Sequence, residues 1–181
     1  KSGVRHRPDY IIVGEIRGSE AYVMFQAMAT GHGGLCTMHA DSLESATKRL
    51  QQKPMDIPAS YMALMNCVIV IKRVKGQDGK STRRAVIVQE LKTAIDYHAA
   101  FKWEPKSDYF NSQLMDSEMI HRISEQSGKN MDEVLEDLGK RKIVLKWLVQ
   151  RGIRRFDKVA EIIGRYYRDP VSLMNKIEYG V

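Results

Sequence analysis

Short apolar runs that end at a polar side chain characterise the first part of the chain. Residues 10–13, Tyr-Ile-Ile-Val, form a continuous apolar run, which is typical of a strand buried on both faces within a parallel sheet. A second apolar run, over residues 35–38, ends immediately before His39. We therefore predict two buried strands, with Glu15 just after the first and His39 just after the second.

Helical patterns separate and follow these two strands. Ser19 is the predicted N-cap of a helix that ends at Thr30-Gly31, and Asp41 with Glu44 forms an Asp-x-x-Glu capping box for the next helix. Strand, helix, strand and helix in succession predict an α/β domain built around a parallel sheet.

The middle of the chain carries a second group of predicted elements. Pro58 is placed to open a helix, and the apolar runs 67–74 and 83–91 flank a glycine-rich turn, which predicts two further strands. Residues 99–113 are expected to be irregular and aromatic. Because the composition changes near Tyr97, we expect two domains, residues 1–96 and a mainly helical part over residues 97–181.

Four helices are predicted in the C-terminal part. Ser117 caps the first, Asn130 and Glu133 cap a longer second one, a third follows Gly152, and Asp169-Pro170 starts the last. The residues predicted to face inward from the second and third helices are Met131, Val134, Leu135, Leu138, Leu145, Leu148, Val149, Val159, Ile162, Ile163 and Tyr166.

Composition limits the classes of protein. At 181 residues and 43% hydrophobic, the chain is long enough for a buried core, and no apolar run approaches the roughly 20 residues that cross a bilayer, so we expect a soluble protein. Cys36 and Cys67 lie in apolar stretches, which predicts buried, reduced thiols and excludes a four-cysteine zinc site. The net charge of +7 suits an anionic partner without identifying it.

Glu15 and His39 are the strongest candidates for chemistry. In open α/β sheets ligands bind in the crevice beyond the carboxyl ends of the strands, where a carboxylate and an imidazole can meet one ligand. The alternative is that Glu15 is a solvated loop carboxylate beside Arg17. Arg5, Arg7 and Arg17 bracket the first strand and could match phosphate geometry, although a solvated basic edge is the other interpretation.

These residues also carry a resemblance to a known family. The segment RPDYIIVGEIRGSEAYVMFQAMATGHGGLCTMHADSLESATKRL resembles the Walker B region and histidine box of the type II and type IV secretion ATPases, hexameric motors of the RecA-like P-loop superfamily. The order GEIRG, TGHGG, TMHADS is more specific than any single motif. KPMDIPASYMALMNCVIVIKRV and the ending YYRDP further resemble the archaeal branch, which drives archaellum, pilus or secretion machinery.

The resemblance implies roles for individual residues. Residues 1–96 would be a partial RecA-like core, in which Glu15 is the Walker B carboxylate that organises Mg²⁺, through water, and the attacking water. His39, with Thr37 in the same loop, would sense the γ-phosphate and couple hydrolysis to movement. Arg5, Arg7 and Arg17 match basic positions that reach nucleotide at subunit interfaces in similar ATPases. The histidine-box loop would consist of Gly31, His32, Gly33 and Gly34.

One motif of the family is absent from the sequence. A P-loop requires Gly-x-x-x-x-Gly-Lys-Ser/Thr, whereas the nearest string, from Gly76 to Ser81, has two residues between its glycines and lies in the predicted hairpin turn. We interpret Lys80 as a turn lysine. In the family the P-loop precedes the Walker B strand, so the chain is expected to be the C-terminal part of the motor domain and to hydrolyse no ATP alone.

For the complete protein, the resemblance implies Mg²⁺ and ATP as cofactors, a homo-hexamer, and a membrane platform protein as partner. It implies a cytoplasmic location, peripheral at the inner face of the cell membrane, and no nucleic-acid partner. Whether the machine is an archaellum, a pilus or a secretion system is left open.

Two other classes of function compete with this interpretation. A metal hydrolase could use Glu15, His32, His39 and Asp41, but their spacing fits no tight ligand motif. Residues 139–155 could form a nucleic-acid-binding module, or else a solvated helix face or a docking surface for membrane-bound partners. That segment contains no acidic residue, and its basic residues are Lys140, Arg141, Lys142, Lys146, Arg151, Arg154 and Arg155.

Overall fold

A computed structural model describes residues 8–76, 79–93 and 96–180 of the protein. The chain divides into two compact units, Lys1–Met119 and Ile120–Val181. Helices and strands both contribute to the first unit, which confirms the predicted α/β fold. None of the helices in the described ranges is both long and apolar enough to cross a membrane.

The first unit begins with the predicted strand, helix, strand and helix. These are β1 (Tyr10–Val13), α1 (Glu20–Ala29), β2 (Gly33–Cys36) and α2 (Leu43–Gln51). β1 and β2 run parallel, with Tyr10 opposite Gly33 and Val13 opposite Cys36. The crossover through α1 therefore brings the carboxyl ends of both strands to the same edge of the sheet.

The prediction that β1 is buried on both faces is wrong. Tyr10 and Ile12 are 66% and 74% exposed, whereas Ile11 and Val13 are half-buried. The strand alternates because α1 and the segment that follows α2 pack on only one face of this sheet in the described part of the chain. Cys36 is likewise exposed rather than buried, and Cys67 is half-buried.

The second strand lies two residues earlier than the sequence pattern suggested, and each of its two glycines allows a close approach by another part of the chain. A Cβ at Gly34 would meet the side chains of Met24 and Met28 on α1. A Cβ at Gly33 would lie 2.6 Å from the Tyr10 ring. The core beneath α1 consists of Ile16, Ala21, Met24, Phe25, Leu50, Met55, Ile57 and Met62.

Helix capping in this unit differs from the sequence prediction. Ser19 occupies the N-cap of α1, but its side chain makes no capping hydrogen bond. α2 is capped by Ser42, not by Asp41, and the Ser42 side chain accepts a hydrogen bond from the Ser45 amide. The predicted helix after Pro58 is present as a 3-10 helix over Ala59–Met65.

A four-stranded antiparallel sheet completes the first unit. Its strands are β3 (Cys67–Lys75), β4 (Ser81–Leu91), β5 (Tyr97–Glu104) and β6 (Tyr109–Ser112), in that spatial order. The predicted pair of strands around the glycine-rich turn is confirmed. Lys80 lies next to that turn, where its carbonyl accepts a hydrogen bond from the Gly76 amide.

The prediction that residues 99–113 are irregular is wrong, because this stretch supplies β5 and β6. Asp108, in the turn between them, accepts hydrogen bonds from the Trp103 indole and the Arg84 guanidinium, each at 2.8 Å. Arg84 lies on β4, so these contacts hold the β5–β6 hairpin to β4. Arg84 and Asp108 lie far apart in the sequence, so local sequence patterns could not predict their contact.

Four helices follow, with bounds close to those predicted: α3 (Glu118–Ser127), α4 (Met131–Gln150), α5 (Phe156–Arg168) and α6 (Pro170–Tyr179). The Asn130–Glu133 capping box of α4 is confirmed, and Asp169 caps α6 through the Ser172 amide. The Ser117 hydroxyl donates to the buried carboxylate of Glu90, so the start of α3 is held to β4.

The core of the second unit is centred on Val144, Leu148, Tyr166, Leu173 and Met174. The predicted inward stripe of α4 is partly wrong: Leu138, Leu145 and Val149 are 37%, 54% and 74% exposed, and Val144, which was not predicted, is buried. On α5, Ile163 is also exposed. α4 is apolar over more than one face in this region, so its sequence alone could not tell which residues α6 would cover.

Candidate functional site

The two strand ends bring Glu15 and His39 together, as their positions predicted. The Nε2 atom of His39 lies 3.2 Å from the Oε1 atom of Glu15. The loops beyond β1 and β2 also stay paired, because the Ile16 amide donates to the Thr37 carbonyl at 2.9 Å and the Thr37 hydroxyl donates to the Gly14 carbonyl. Thr37 therefore holds the two loops at the spacing that the side-chain contact requires.

Arg17 engages the same carboxylate with both arms of its guanidinium. Its Nε donates to Oε1 of Glu15 and its terminal NH2 donates to Oε2, both at 2.7 Å. The hydrogen bond from Arg17 is the main reason that the pKa of Glu15 lies below its ordinary value; slight burial opposes this lowering, and the charges of Arg17, His39 and Arg49 reinforce it. Glu15 is therefore ionised at neutral pH, and its carboxylate lies between the side chains of Arg17 and His39.

Glu20 fixes the loop that carries Arg17, and the sequence analysis did not identify it. Its Oε1 accepts hydrogen bonds from the backbone amides of Arg17 and Gly18, at 2.5 and 2.8 Å. These hydrogen bonds from the amides also lower the pKa of Glu20. An acidic residue in the first turn of α1, two residues after the GEIRG motif, was the signal in the sequence.

Arg49 is a second residue that the sequence analysis missed. It lies on α2, and its guanidinium donates to the backbone carbonyl of His39 at 2.8 Å. This bond holds the loop that presents the imidazole. Ten residues separate Arg49 from His39, and no short motif joins them, so only the folded chain reveals the pair.

A basic depression of about 590 Å³ lies beside this cluster. Four cationic side chains line it together with His39, namely Arg17, Lys48, Arg49 and Lys53. Such a lining suits an anion, and guanidinium groups in particular match phosphate oxygens. Mg²⁺ in proteins is held by one or two carboxylates together with substrate phosphates and water, so Glu15 beside this depression fits a magnesium phosphate.

The glycine-rich loop shapes the site without joining the ionic cluster. Gly31 has a φ of +96°, a conformation that favours glycine, and it ends α1. His32 turns back to that helix: its Nδ1 lies 3.1 Å from the Ala27 carbonyl and 3.3 Å from the Thr30 hydroxyl. Gly33 and Gly34 belong to β2, where Gly34 faces α1 and Gly33 faces the Tyr10 ring.

Two of the predicted site residues, Arg5 and Arg7, lie outside the described residues. Asp41 does not join the cluster. Asp41 is oriented toward Ser42 and Ser45, whose hydrogen bonds lower its pKa, with Ser45 contributing most. Within the described ranges, no three His, Cys, Asp or Glu side chains are grouped as a metal site, so Glu15, His32, His39 and Asp41 are not assembled into one.

The basic segment 139–155 is partly neutralised. Lys140 pairs with Glu136 at 2.6 Å, Arg141 with Asp137 at 2.8 Å, and Arg155 with Asp157 at 3.1 Å. The acidic partners lie just outside residues 139–155, and the segment itself contains no acidic residue. These pairs favour the interpretation of a solvated helix face over a nucleic-acid module.

Comparison with known proteins places the chain in a family. The model of the type II/IV secretion system protein family matches residues 1–132, which is more than half of the chain. The chain therefore belongs to the type II/IV secretion ATPase family.

Individual relatives cover different parts of the chain. An uncharacterized protein of Methanocaldococcus jannaschii, MJ1287, is 37% identical over 146 residues, 78% of this chain and 54% of that protein. The type IV secretion system protein PtlH of Bordetella pertussis is 35% identical over 96 residues, 48% of this chain and 28% of that protein. The conjugal transfer protein TrbB of Rhizobium radiobacter is 49% identical over 53 residues, 29% of this chain and 16% of that protein. The chain thus spans about half of the first relative and less of the others.

Proposed function

We propose that the chain supplies the Glu15–His39 half of the ATP-hydrolysing site of a secretion or pilus-assembly motor. The observation that carries this proposal is the 3.2 Å contact between Glu15 and His39, made where two parallel strands end beside a depression lined by cations. Phosphoryl transfer depends on positioning and counter-charge more than on covalent chemistry, and this cluster supplies both.

Each side chain has a distinct part in the proposal. The Glu15 carboxylate would hold Mg²⁺ through water and orient the attacking water; the metal would neutralise charge on the phosphates when bound. His39 would hydrogen-bond to the γ-phosphate, while Thr37, Gly31, Gly33 and Gly34 keep its loop in place. Arg17 would move from Glu15 to the nucleotide phosphates, since guanidinium groups bind phosphate through the same two-armed geometry that binds a carboxylate.

The proposal includes the setting of the whole protein. The complete motor would be a homo-hexamer in the cytoplasm, peripheral at the inner face of the membrane, where it acts through a platform protein on pilin-like, archaellin or exported subunits. Arg5 and Arg7 would reach the nucleotide of a neighbouring subunit. The proposal rests on family membership, on the residue pattern and on the net charge of +7.

The test is ATP hydrolysis by a protein that joins this chain to a P-loop domain of the same family. Glu15→Gln keeps the size of the side chain but removes its charge, and it should lower the turnover rate roughly 10²–10³-fold, by analogy with the loss of one electrostatic group from an active site. Lys142→Gln, on an exposed turn of α4, is the matched control and should leave turnover unchanged. Equal turnover by Glu15→Gln and the unmodified protein would contradict the proposal.

The isolated 181-residue chain should release no phosphate from ATP, because its sequence contains no P-loop to cradle the phosphates. A colorimetric phosphate assay checks this directly. Turnover by the isolated chain that Glu15→Gln abolishes would mean that these residues form a complete active site.

A further inference from the structure

The turn-proximal half of the β3–β4 hairpin concentrates positive charge. Residues 72–84 contain six basic residues and one acidic residue. The strand register places Arg73 directly opposite Arg83, and Lys72 directly opposite Arg84. Like charges in directly opposed positions destabilise a sheet. Because neighbouring side chains of a strand point to opposite faces, each face of the hairpin carries one such pair, which indicates that a surface here meets an anionic partner.

The cations on one face of this hairpin are available to such a partner. Arg84 is bound to Asp108 at 2.8 Å, and Lys72 lies near enough to Asp41 to lower its pKa. By contrast, Arg73, Lys75 and Arg83 are exposed, and among the described residues no carboxylate forms an ion pair with them. Their charge is therefore uncompensated within the described part of the chain.

The same region has the chemistry of a phosphate site. A depression of about 590 Å³ is lined by Arg73, Ser81, Thr82 and Arg83. Guanidinium groups donate paired hydrogen bonds to phosphate oxygens, and the Ser81 hydroxyl adds a single one. Thr82 lies opposite Val74, so its side chain points to the other face of the hairpin. Three side-chain donors on one face suit a phosphate group better than a carboxylate of a protein, which presents fewer acceptor oxygens.

Apolar side chains on the same face distinguish between sources of phosphate. Ile69 and Ile71 are 56% and 62% exposed, and they precede Arg73 at the two-residue spacing that keeps side chains on one face of a strand. A lipid interface accommodates apolar side chains beside basic ones. Single-stranded nucleic acid would instead require aromatic stacking, and residues 67–91 contain no aromatic side chain.

We propose that this face, which we call the basic ribbon (Ile69, Ile71, Arg73, Lys75, Ser81 and Arg83), binds an anionic phospholipid surface. Arg73 and Arg83 contact the headgroup phosphates with the Ser81 hydroxyl beside them, and the isoleucines enter the boundary between headgroups and acyl chains. The inference rests on the proposed function only for the location at a membrane, and none of its residues belongs to the Glu15–His39 cluster.

Vesicle co-sedimentation tests this inference with the full chain. The chain should bind vesicles of equimolar phosphatidylcholine and phosphatidylglycerol, and bind vesicles of phosphatidylcholine alone far less. The R73Q/R83Q variant should bind the anionic vesicles roughly 25-fold less tightly, since each basic side chain near an anionic leaflet contributes about a factor of five. I71S should weaken vesicle binding about fivefold, because the variant transfers less apolar side-chain surface from water into the membrane.

Two comparisons separate this surface from the alternatives. The K142Q/K146Q variant removes the same charge from α4 and should retain binding, and Glu15→Gln should also retain it even if ATP turnover is lost. Vesicle binding that is unaffected by R73Q/R83Q, or reduced equally by K142Q/K146Q, would overturn the proposal. Tighter binding to duplex DNA than to anionic vesicles, lost in R73Q/R83Q, would also overturn it and would identify a nucleic-acid surface.

Discussion

At the scale of single residues, the Glu15 carboxylate is controlled by Arg17. Both of its oxygens accept hydrogen bonds from that guanidinium, and Oε1 also lies 3.2 Å from His39. A carboxylate held in this way cannot turn toward a ligand unless Arg17 releases it. Exchange of Arg17 between Glu15 and an incoming anion is thus the simplest motion that the site permits.

Arg17→Gln should raise the pKa of Glu15, because the hydrogen bond from Arg17 is the largest cause of its lowering. Arg49→Gln should raise it less, since Arg49 acts only through its charge and is the smallest contributor. A ¹³C NMR titration of the side-chain carboxyl group measures both shifts. A larger shift in Arg49→Gln than in Arg17→Gln would show that the two-armed contact does not form in solution.

At the scale of elements, the helix N-caps show how well the local sequence predicts the ends of helices. The Asn130–Glu133 box was predicted from four residues and forms with both reciprocal hydrogen bonds, at 2.9 and 2.8 Å. Ser19 matched the same N-cap preference, yet its backbone is already helical, with φ −65° and ψ −15°, and its side chain makes no capping hydrogen bond. The difference arises because a capping side chain reaches the amides of the first turn from an extended backbone, which Asn130 has and Ser19 does not.

Alanine substitution at these two caps should therefore have unequal effects. Asn130→Ala should lower the free energy of unfolding by about 1 kcal/mol, since it removes the hydrogen bond to the Glu133 amide. Ser19→Ala should change it by no more than a few tenths of a kcal/mol, because the Ser19 side chain makes no capping bond. Urea denaturation followed by circular dichroism gives both values, and equal losses would contradict the assigned caps.

At the scale of the whole molecule, the second unit contains a partly buried polar cluster that makes its stability depend on pH. The Tyr166 hydroxyl donates to Oδ1 of Asp137 at 2.5 Å, and Arg141 donates to Oδ2 at 2.8 Å. Burial, together with the hydrogen bond and charge of Asp137, raises the pKa of Tyr166 from 10.0 to about 12. Burial disfavours ionisation of Asp137 as well, but Tyr166 and Arg141 outweigh it and lower the pKa of that carboxyl.

Stability of this unit should fall as pH rises from 10.0 to about 12. In this interval the folded state keeps the Tyr166 proton that the unfolded state has lost, so raising the pH favours unfolding, by up to about 2–3 kcal/mol. Tyr166→Phe should lose about 1.5–3 kcal/mol at neutral pH, as expected for a hydrogen bond to a charged group, and should flatten the alkaline decline. Tyr179→Phe, at an exposed position, is the control. Urea denaturation across this pH range measures the effect, and an unchanged alkaline slope in Tyr166→Phe would contradict it.

The sequence by itself determined the order of the first four elements, the α4 and α6 caps, the β3–β4 hairpin and the proximity of Glu15 to His39. Each of these follows from residues close in sequence, or from the rule that a right-handed crossover aligns the ends of parallel strands. Only the tertiary structure decided which face of β1 is covered, that residues 97–112 join the sheet, and that Arg49 and Glu20 support the site. Burial and long-range hydrogen bonds depend on partners far apart in the chain, and no local pattern records them.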